Sequence, residues 1–168
     1  MTTTDESMAF GDLQIDFDPS VLVPRPWTMA QSTWAAELLG DLPPGPVLEL
    51  CSGAGHIGLA AVAGSRRPLV QVDASEHACG FARRNAARAE VESDVRCGRM
   101  DEVVGVGERF VLVVADPPWV PSDEVTRFPE DPLWAIDGGD DGLDLARLCL
   151  RVAAEHLVAG GLVLLQVG

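Results

Sequence analysis

Short apolar runs alternate along this chain with stretches whose apolar residues recur at helical spacing. Val47-Leu48-Glu49-Leu50, Pro68 to Val72 and Phe110 to Ala115 are near-continuous runs that predict buried parallel strands. Helices are predicted from Thr28 to Leu39, with Gly40 as a stop before the Pro43-Pro44-Gly45-Pro46 turn, and from Ile57, Ser75 to Ala89 and Leu143 to Leu157. Ser93 to Cys97 reads as a short third strand. Gly160-Gly161 predicts a turn into a fifth, Leu162 to Val167. Strands alternating with helices imply an α/β fold with a doubly wound, mostly parallel sheet. The first nine residues are polar and expected to be loose, and residues 1–20 form a lead-in or lid to one domain over 21–168.

Composition narrows the function classes. The 168 residues are 47% apolar, enough for one domain with a substantial core. Twelve basic residues against 26 acidic ones leave a net charge of −14, and every basic residue is arginine. That balance opposes nonspecific binding to nucleic acid and to anionic membranes, and favours a protein or small-molecule substrate. Cys51, Cys79, Cys97 and Cys149 have neither zinc-site pairing nor disulfide-scaffold density, so they read as reduced and cytoplasmic. No apolar run approaches the ~20 residues of a membrane span.

The loop after the first strand, Glu49-Leu50-Cys51-Ser52-Gly53-Ala54-Gly55-His56-Ile57-Gly58, supports two cofactor readings. Gly53, Gly55 and Gly58 satisfy the G-x-G-x-x-G pattern of dinucleotide sites. A carboxylate at Glu49 would oppose a pyrophosphate, and suits the sulfonium and ammonium groups of S-adenosyl-L-methionine. Asp73, closing the second strand, can accept from both ribose hydroxyls of either cofactor. Cys51 reads as a small buried residue, His56 as lining the helix start, and His77 and His156 as surface residues.

Asp116-Pro117-Pro118-Trp119 tips the balance toward methyl transfer. The prolines stop the preceding strand and fix the chain's direction. A carboxylate, proline carbonyls and an aromatic face then converge where open α/β sheets bind ligands. Asp116 and the Pro117 carbonyl can hold the two N–H groups of a planar nitrogen while Trp119 stacks on it and faces the sulfonium. Asp116, Pro117 and Trp119 are therefore the candidate catalytic residues, with Pro118 in the substrate platform. This chemistry requires no metal. Arg25 is either a surface ion pair or a group near the cofactor, and Asp140, Asp141 and Asp144 are expected to cap the last helix. Trp27, Trp34 and Trp134 are candidates for core or substrate entrance.

With these motifs in order, the chain resembles the class I S-adenosylmethionine-dependent methyltransferases, and within them the HemK/PrmC family of release-factor glutamine methyltransferases. Val21-Leu22-Val23-Pro24-Arg25-Pro26, Ala82-Arg83-Arg84-Asn85-Ala86 and Ala135 to Asp144 are similar to that family's V-L-I-P-R-P, A-x-x-N-A and A-L-D-G-G-x-D-G-L-D segments. The resemblance implies a Rossmann-like sheet and S-adenosyl-L-methionine held by Glu49, Cys51, Gly53, Gly55, Asp73, Met100 and Asp116. It further implies a translation release factor as substrate, methylated on the glutamine amide of its Gly-Gly-Gln motif.

The chain departs from the family pattern in several places. Asp116 stands where the family has asparagine, an aspartate typical of enzymes acting on exocyclic amino groups of nucleic-acid bases. Trp119 replaces a tyrosine, Cys51 a glycine, and Arg99 lies about where an acidic residue often helps hold adenosine. The family's helical amino-terminal domain has no counterpart, as in shorter relatives, some of which use a partner subunit. Its antiparallel strand pair after the fifth strand is also missing, so the sequence is expected to be incomplete. The alternatives are an RNA or DNA amino-group methyltransferase, a weakly catalytic S-adenosylmethionine-binding scaffold subunit, and, least favoured, a nicotinamide-dependent oxidoreductase.

Overall fold

The computed structural model describes residues 5–168; the first four, part of the segment expected to be loose, lie outside the described residues. The rest of that segment is built into the fold, against expectation. Strands β1 (Glu6–Phe10) and β2 (Leu13–Phe17) form an antiparallel hairpin turned at Gly11, φ 59°. Phe10, Ile15, Phe17 and the following Val21 are all buried, so the lead-in contributes to the core. Polar residues alternate with these apolar ones because one face of the hairpin packs and the other meets water.

Five further strands make one parallel sheet: β3 (Val47–Leu50), β4 (Leu69–Asp73), β5 (Ser93–Cys97), β6 (Phe110–Ala115) and β7 (Leu157–Leu165). Their spatial order is β5-β4-β3-β6-β7, as the doubly wound reading requires. Helices α1 (Met29–Asp41), α2 (His56–Val62) and α3 (Glu76–Arg88) share one side of the sheet with the hairpin, where Ala35, Ile57 and Phe81 meet Val47, Leu69, Leu112 and Val114. The short α4 (Met100–Val103) and the long α6 (Asp144–His156) cover the other, packing Met100, Cys149 and Val152 on Leu48, Leu50, Val113 and Ala115. The two-residue side-chain period of each strand thus feeds both layers. The crevice between β3 and β6, where the winding reverses, opens at the carboxyl edge.

Several local expectations need correction. Gly40 lies inside α1, which runs on to Asp41. Gly160-Gly161 makes no turn between elements: α6 passes directly into β7, and the glycines sit in a bulge that puts Leu157 opposite Phe110 but Leu162 opposite Leu112. His156 is buried, not a surface residue, because the last turn of α6 faces the sheet; its Nδ1 lies 3.0 Å from the Glu108 carbonyl. The one-turn helices α4 and α5 (Leu133–Ile136) and the 3-10 turns at Pro26–Thr28 and Val125–Arg127 are too short for periodicity to mark. Among the described residues no helix is long and apolar enough to cross a membrane.

Candidate active site

The loop from β3 to α2 is wound tightly by three left-handed residues, Cys51 (φ 57°), Gly53 (φ 52°) and Gly55 (φ 85°). Glycine meets that conformation without a Cβ penalty. At Gly55 there is a second reason, since a Cβ would lie 2.7 Å from Gln71 Nε2 and 3.2 Å from Ala82. The Asp73 carboxylate fixes the loop's far side, accepting the Gly53 N–H at 2.8 Å and the Ser75 N–H at 2.9 Å. Burial pushes its pKa above the ordinary carboxylate value. An ionised carboxylate offers about four acceptor sites, so the backbone N–H groups leave capacity for a hydroxyl donor.

Glu49 has a different place from the one expected. Its side chain points under the loop, where Oε1 accepts the Gly58 N–H at 2.9 Å and Oε2 accepts the Gln71 amide at 2.6 Å. Ser93 Oγ donates in turn to Gln71 Oε1 at 2.8 Å, so a buried polar row crosses β5, β4 and β3 to reach α2. Glu49 and Gly55 support the loop, and neither lines a cavity.

Two cavities open at the carboxyl edge of the sheet. The first, about 210 Å³, is bounded by Cys51, Ser52, Gly53 and His56 from the loop, Asp73, and the apolar Ile57, Val72, Met100, Leu145 and Leu148. Trp134 and Ala135 of α5, with Leu22, Val23 and Arg25, close over it. The second, about 350 Å³, is lined by Pro117, Trp119, Trp27, Phe128, Glu130, Asp131 and Gln166. Asp116 and Pro118 belong to both, together with Leu22, Arg25 and Ala135. Asp116 therefore stands in the wall between the two spaces. Burial alone raises its pKa to about 6, leaving the carboxylate mostly ionised at neutral pH.

The Asp-Pro-Pro-Trp segment is braced from below by the glycine-rich stretch that comes after it. Val120 donates to the Ile136 carbonyl at 2.9 Å and receives the Gly138 N–H at 2.8 Å, while Ser122 N–H reaches the Gly139 carbonyl at 3.0 Å. Gly138 and Gly142 press against the Pro118 and Trp119 carbonyls, where a Cβ has no room. Of the expected helix caps, Asp141 accepts the Leu143 N–H at 3.1 Å and pairs with Arg147; α6 has no side-chain N-cap, and Asp144 is its first residue.

Polar groups around the first cavity complete the picture. His56 Nε2 lies 3.3 Å from Thr28 Oγ1, and burial lowers its pKa to about 3, so the ring is neutral. His56 Nδ1 and Ser52 Oγ are buried without a hydrogen-bond partner among the described residues. The Cys51 thiol hydrogen bonds with Cys149, which together with burial raises its pKa far above the ordinary thiol value and fits a packing role. Arg25 is the ion pair of the two readings offered for it, and it lines both cavities: its Nη2 donates to both Asp131 oxygens at 2.6 and 2.7 Å. Arg99 lines the first cavity while pairing with Asp101 at 2.8 Å. Trp34 is exposed and lines neither cavity, and Trp119 lines only the second.

A family profile described as "Methyltransferase small domain" matches residues 32–128, which include the loop, Asp73 and the Asp-Pro-Pro-Trp segment. The chain belongs to that family. It is 36% identical over 163 residues to a release factor glutamine methyltransferase of Gloeobacter violaceus, covering 93% of this chain and 57% of the relative. It is 29% identical to a ribosomal protein uL3 glutamine methyltransferase of Francisella tularensis, over 95% of this chain and 53% of that one. The chain thus spans a little over half the length of these relatives. Among solved structures, it superposes on a SAM-dependent methyltransferase from Agrobacterium tumefaciens with a TM-score of 0.66 at 18% identity, over 96% of this chain and 51% of that one. On a Pyrococcus abyssi tRNA (uracil-54, C5)-methyltransferase in complex with S-adenosyl-L-homocysteine the TM-score is 0.58 at 19% identity, over 75% and 32%. At those identities the likeness is one of fold, and the fold is that of the class I methyltransferases.

Of the residues expected at the cofactor, Cys51, Gly53, Asp73, Met100 and Asp116 line the first cavity; those expected at the acceptor, Asp116, Pro117, Pro118 and Trp119, line the second. Ser52, Gln166, Leu22 and Ala135 were not foreseen as lining groups, whereas Trp134, a candidate for the substrate entrance, does line the first cavity. The Val21 to Pro26 stretch carried a signal for the roof; Gln166 carried none.

Proposed function

We propose that this chain is an S-adenosylmethionine-dependent N-methyltransferase whose acceptor is a glutamine side-chain amide in a protein, with the Gly-Gly-Gln motif of a translation release factor as the expected substrate. The observation that carries this reading is Asp116 in the partition between a loop-and-carboxylate cavity and an aromatic one. The first cavity suits the cofactor. Asp73 retains acceptor capacity for a ribose hydroxyl, Met100, Val72 and Leu145 offer apolar walls to a purine, and Ser52 Oγ and His56 Nδ1 lack partners among the described residues. Bound there, S-adenosylmethionine supplies an electrophilic methyl group.

The residues of the second cavity then act on the acceptor. An amide nitrogen is a poor nucleophile because its lone pair is delocalised into the carbonyl. The Asp116 carboxylate accepts one N–H and the Pro117 carbonyl the other, which orients the nitrogen toward the partition and raises electron density on it. Trp119 holds the amide plane by stacking. Orientation of this kind removes several kcal/mol of barrier by itself. As the nitrogen gains its methyl it sheds a proton, and Asp116 is placed to receive it. We place the reaction in the cytoplasm, where four free thiols persist.

The test is intact-mass analysis of a release factor incubated with the protein and S-adenosylmethionine, beside a variant with glutamate in place of the Gly-Gly-Gln glutamine. One added methyl on the normal factor and none on the variant supports the reading; no methyl on either, from protein that binds S-adenosylhomocysteine, overturns it for this substrate. Asp116 in place of asparagine favours a second reading, an exocyclic amino group of RNA or DNA. The −14 charge and the carboxylates at the cavity weigh against a polyanion.

A further inference from the structure

Beyond the groups that hold an amide, the second cavity has an outer wall whose chemistry methyl transfer does not use. Trp27, 64% exposed, Phe128 and Trp119 all bring aromatic rings to that space. Three carboxylates, Asp116, Glu130 and Asp131, line the space with a single cation, Arg25. That cation is already occupied: Asp131, whose side chain is only 7% exposed, binds it through both oxygens, and the guanidinium lies 5.7 Å from the Trp27 ring centroid. Glu130 is exposed and, among the described residues, is joined to no hydrogen bond or ion pair. An unpaired carboxylate lining the same space as aromatic rings suits a cation.

Resting on the reading above, we propose that the wall formed by Trp27, Phe128 and Glu130 selects protein acceptors that carry a lysine or arginine side chain close to the methylated glutamine. The aromatic rings attract the cation through their quadrupoles, and Glu130 supplies the opposite charge at the rim. The chain's net charge of −14 draws a basic segment in and speeds its encounter. Nucleic acid meets the same field as repulsion, so the cation belongs to a polypeptide.

The test uses the whole chain saturated with S-adenosylhomocysteine and fluorescent peptides built on Gly-Gly-Gln, with lysine, arginine, alanine or glutamate at each flanking position. Basic peptides are expected to bind roughly tenfold more tightly than alanine ones, with glutamate peptides weakest, and 0.5 M salt should shrink the difference. Glu130→Gln and Trp27→Leu, each checked for an unchanged melting temperature, should erase the preference. Affinity independent of flanking charge, a preference that survives both variants, no peptide binding at all, or tighter binding of an RNA oligonucleotide would each overturn the proposal. Methyl transfer is followed on the same peptides with S-adenosylmethionine. Transfer without charge preference sinks this inference alone; charge-selective binding without transfer to any peptide sinks the glutamine reading and leaves the basic-segment site standing.

Discussion

Gln71 donates its amide to Glu49 at 2.6 Å because the two residues are register partners on neighbouring strands β4 and β3 and face the same side of the sheet. The pair lies beneath the β3–α2 loop, and Gly58 closes it from α2. Burial is the larger effect on Glu49, and it outweighs both hydrogen bonds to raise the carboxyl pKa from 4.5 to about 7. The folded chain therefore holds a proton here between pH 4.5 and 7 that the unfolded chain has released. Stability from this group is fully present below pH 4.5, falls as pH rises toward 7 and is flat above it, by an amount on the order of 3 kcal/mol. Thermal melts from pH 4.5 to 8 should show that decline in the native chain and a shallower one in Glu49→Gln. Equal slopes would mean that Glu49 is ionised throughout.

Asp116 gives a pH dependence of activity with the opposite sense. Its pKa of about 6 means that below pH 6 the carboxyl is protonated and loses acceptor capacity toward the substrate N–H. The value of kcat/KM should rise through pH 6 and level off above pH 7. Asp116→Ala should lower kcat by about 10²–10³, with the Kd for S-adenosylhomocysteine changed by less than about fivefold. Asp116→Asn keeps one acceptor oxygen, so it should retain more activity than the alanine variant and lose the inflection near pH 6. An unchanged inflection in Asp116→Asn would assign it to another group.

The strands were legible because buried parallel strands leave continuous apolar runs; Phe110 to Ala115 was read with the bounds the structure gives it. The Asp-Pro-Pro-Trp platform was legible for a related reason, since two prolines can only end such a strand. The hairpin over Glu6–Phe17 was not. Its strands are five residues each and its apolar positions few, so period-two alternation had little length in which to appear. Glu49 misled for a physical reason as well. A carboxylate at a strand's end can face the ligand or the layer beneath, and the choice depends on a partner, Gln71, that only the register supplies. Gln31 escaped for the same cause: its amide bridges the Ala115 and Leu164 carbonyls at the ends of β6 and β7, across more than eighty residues of chain.

Gly55 joins the loop to the same network, and its substitution tests the fit directly. At φ 85° an alanine is strained, and its methyl would meet Gln71 Nε2 at 2.7 Å. Gln71 also donates to the Gly55 carbonyl at 3.0 Å, so it cannot withdraw without loss. Gly55→Ala should destabilise the fold by about 2–3 kcal/mol in urea unfolding and weaken S-adenosylhomocysteine binding about tenfold or more. Gly40→Ala is the control: nothing lies within 4 Å of its added methyl and the site is helical, so it should be neutral or stabilising.

Asn85 ties the hairpin to the β3–α2 loop with one fully buried amide. Its Oδ1 accepts the Asp16 N–H at 2.8 Å, and its Nδ2 donates to the Asp16 and Ala54 carbonyls, each at 2.9 Å. The side-chain amide so mimics a neighbouring strand toward β2 while its second N–H holds the loop. Asn85→Ala takes the side-chain partner from three backbone groups, the buried Ala54 carbonyl and the part-buried Asp16 N–H and carbonyl, at about 1–3 kcal/mol for each group that water cannot reach. A total loss of about 3–5 kcal/mol is expected in denaturant unfolding. Asn85→Asp keeps an acceptor and, when protonated, one O–H donor, so it should fall between the native chain and alanine at low pH; at neutral pH it has no donor and buries a charge, and should fall below alanine. Hydrogen exchange should localise the change, with amides of residues 13–17 and 53–55 losing protection together in Asn85→Ala. Loss of protection in the hairpin alone would show that the loop stands without it.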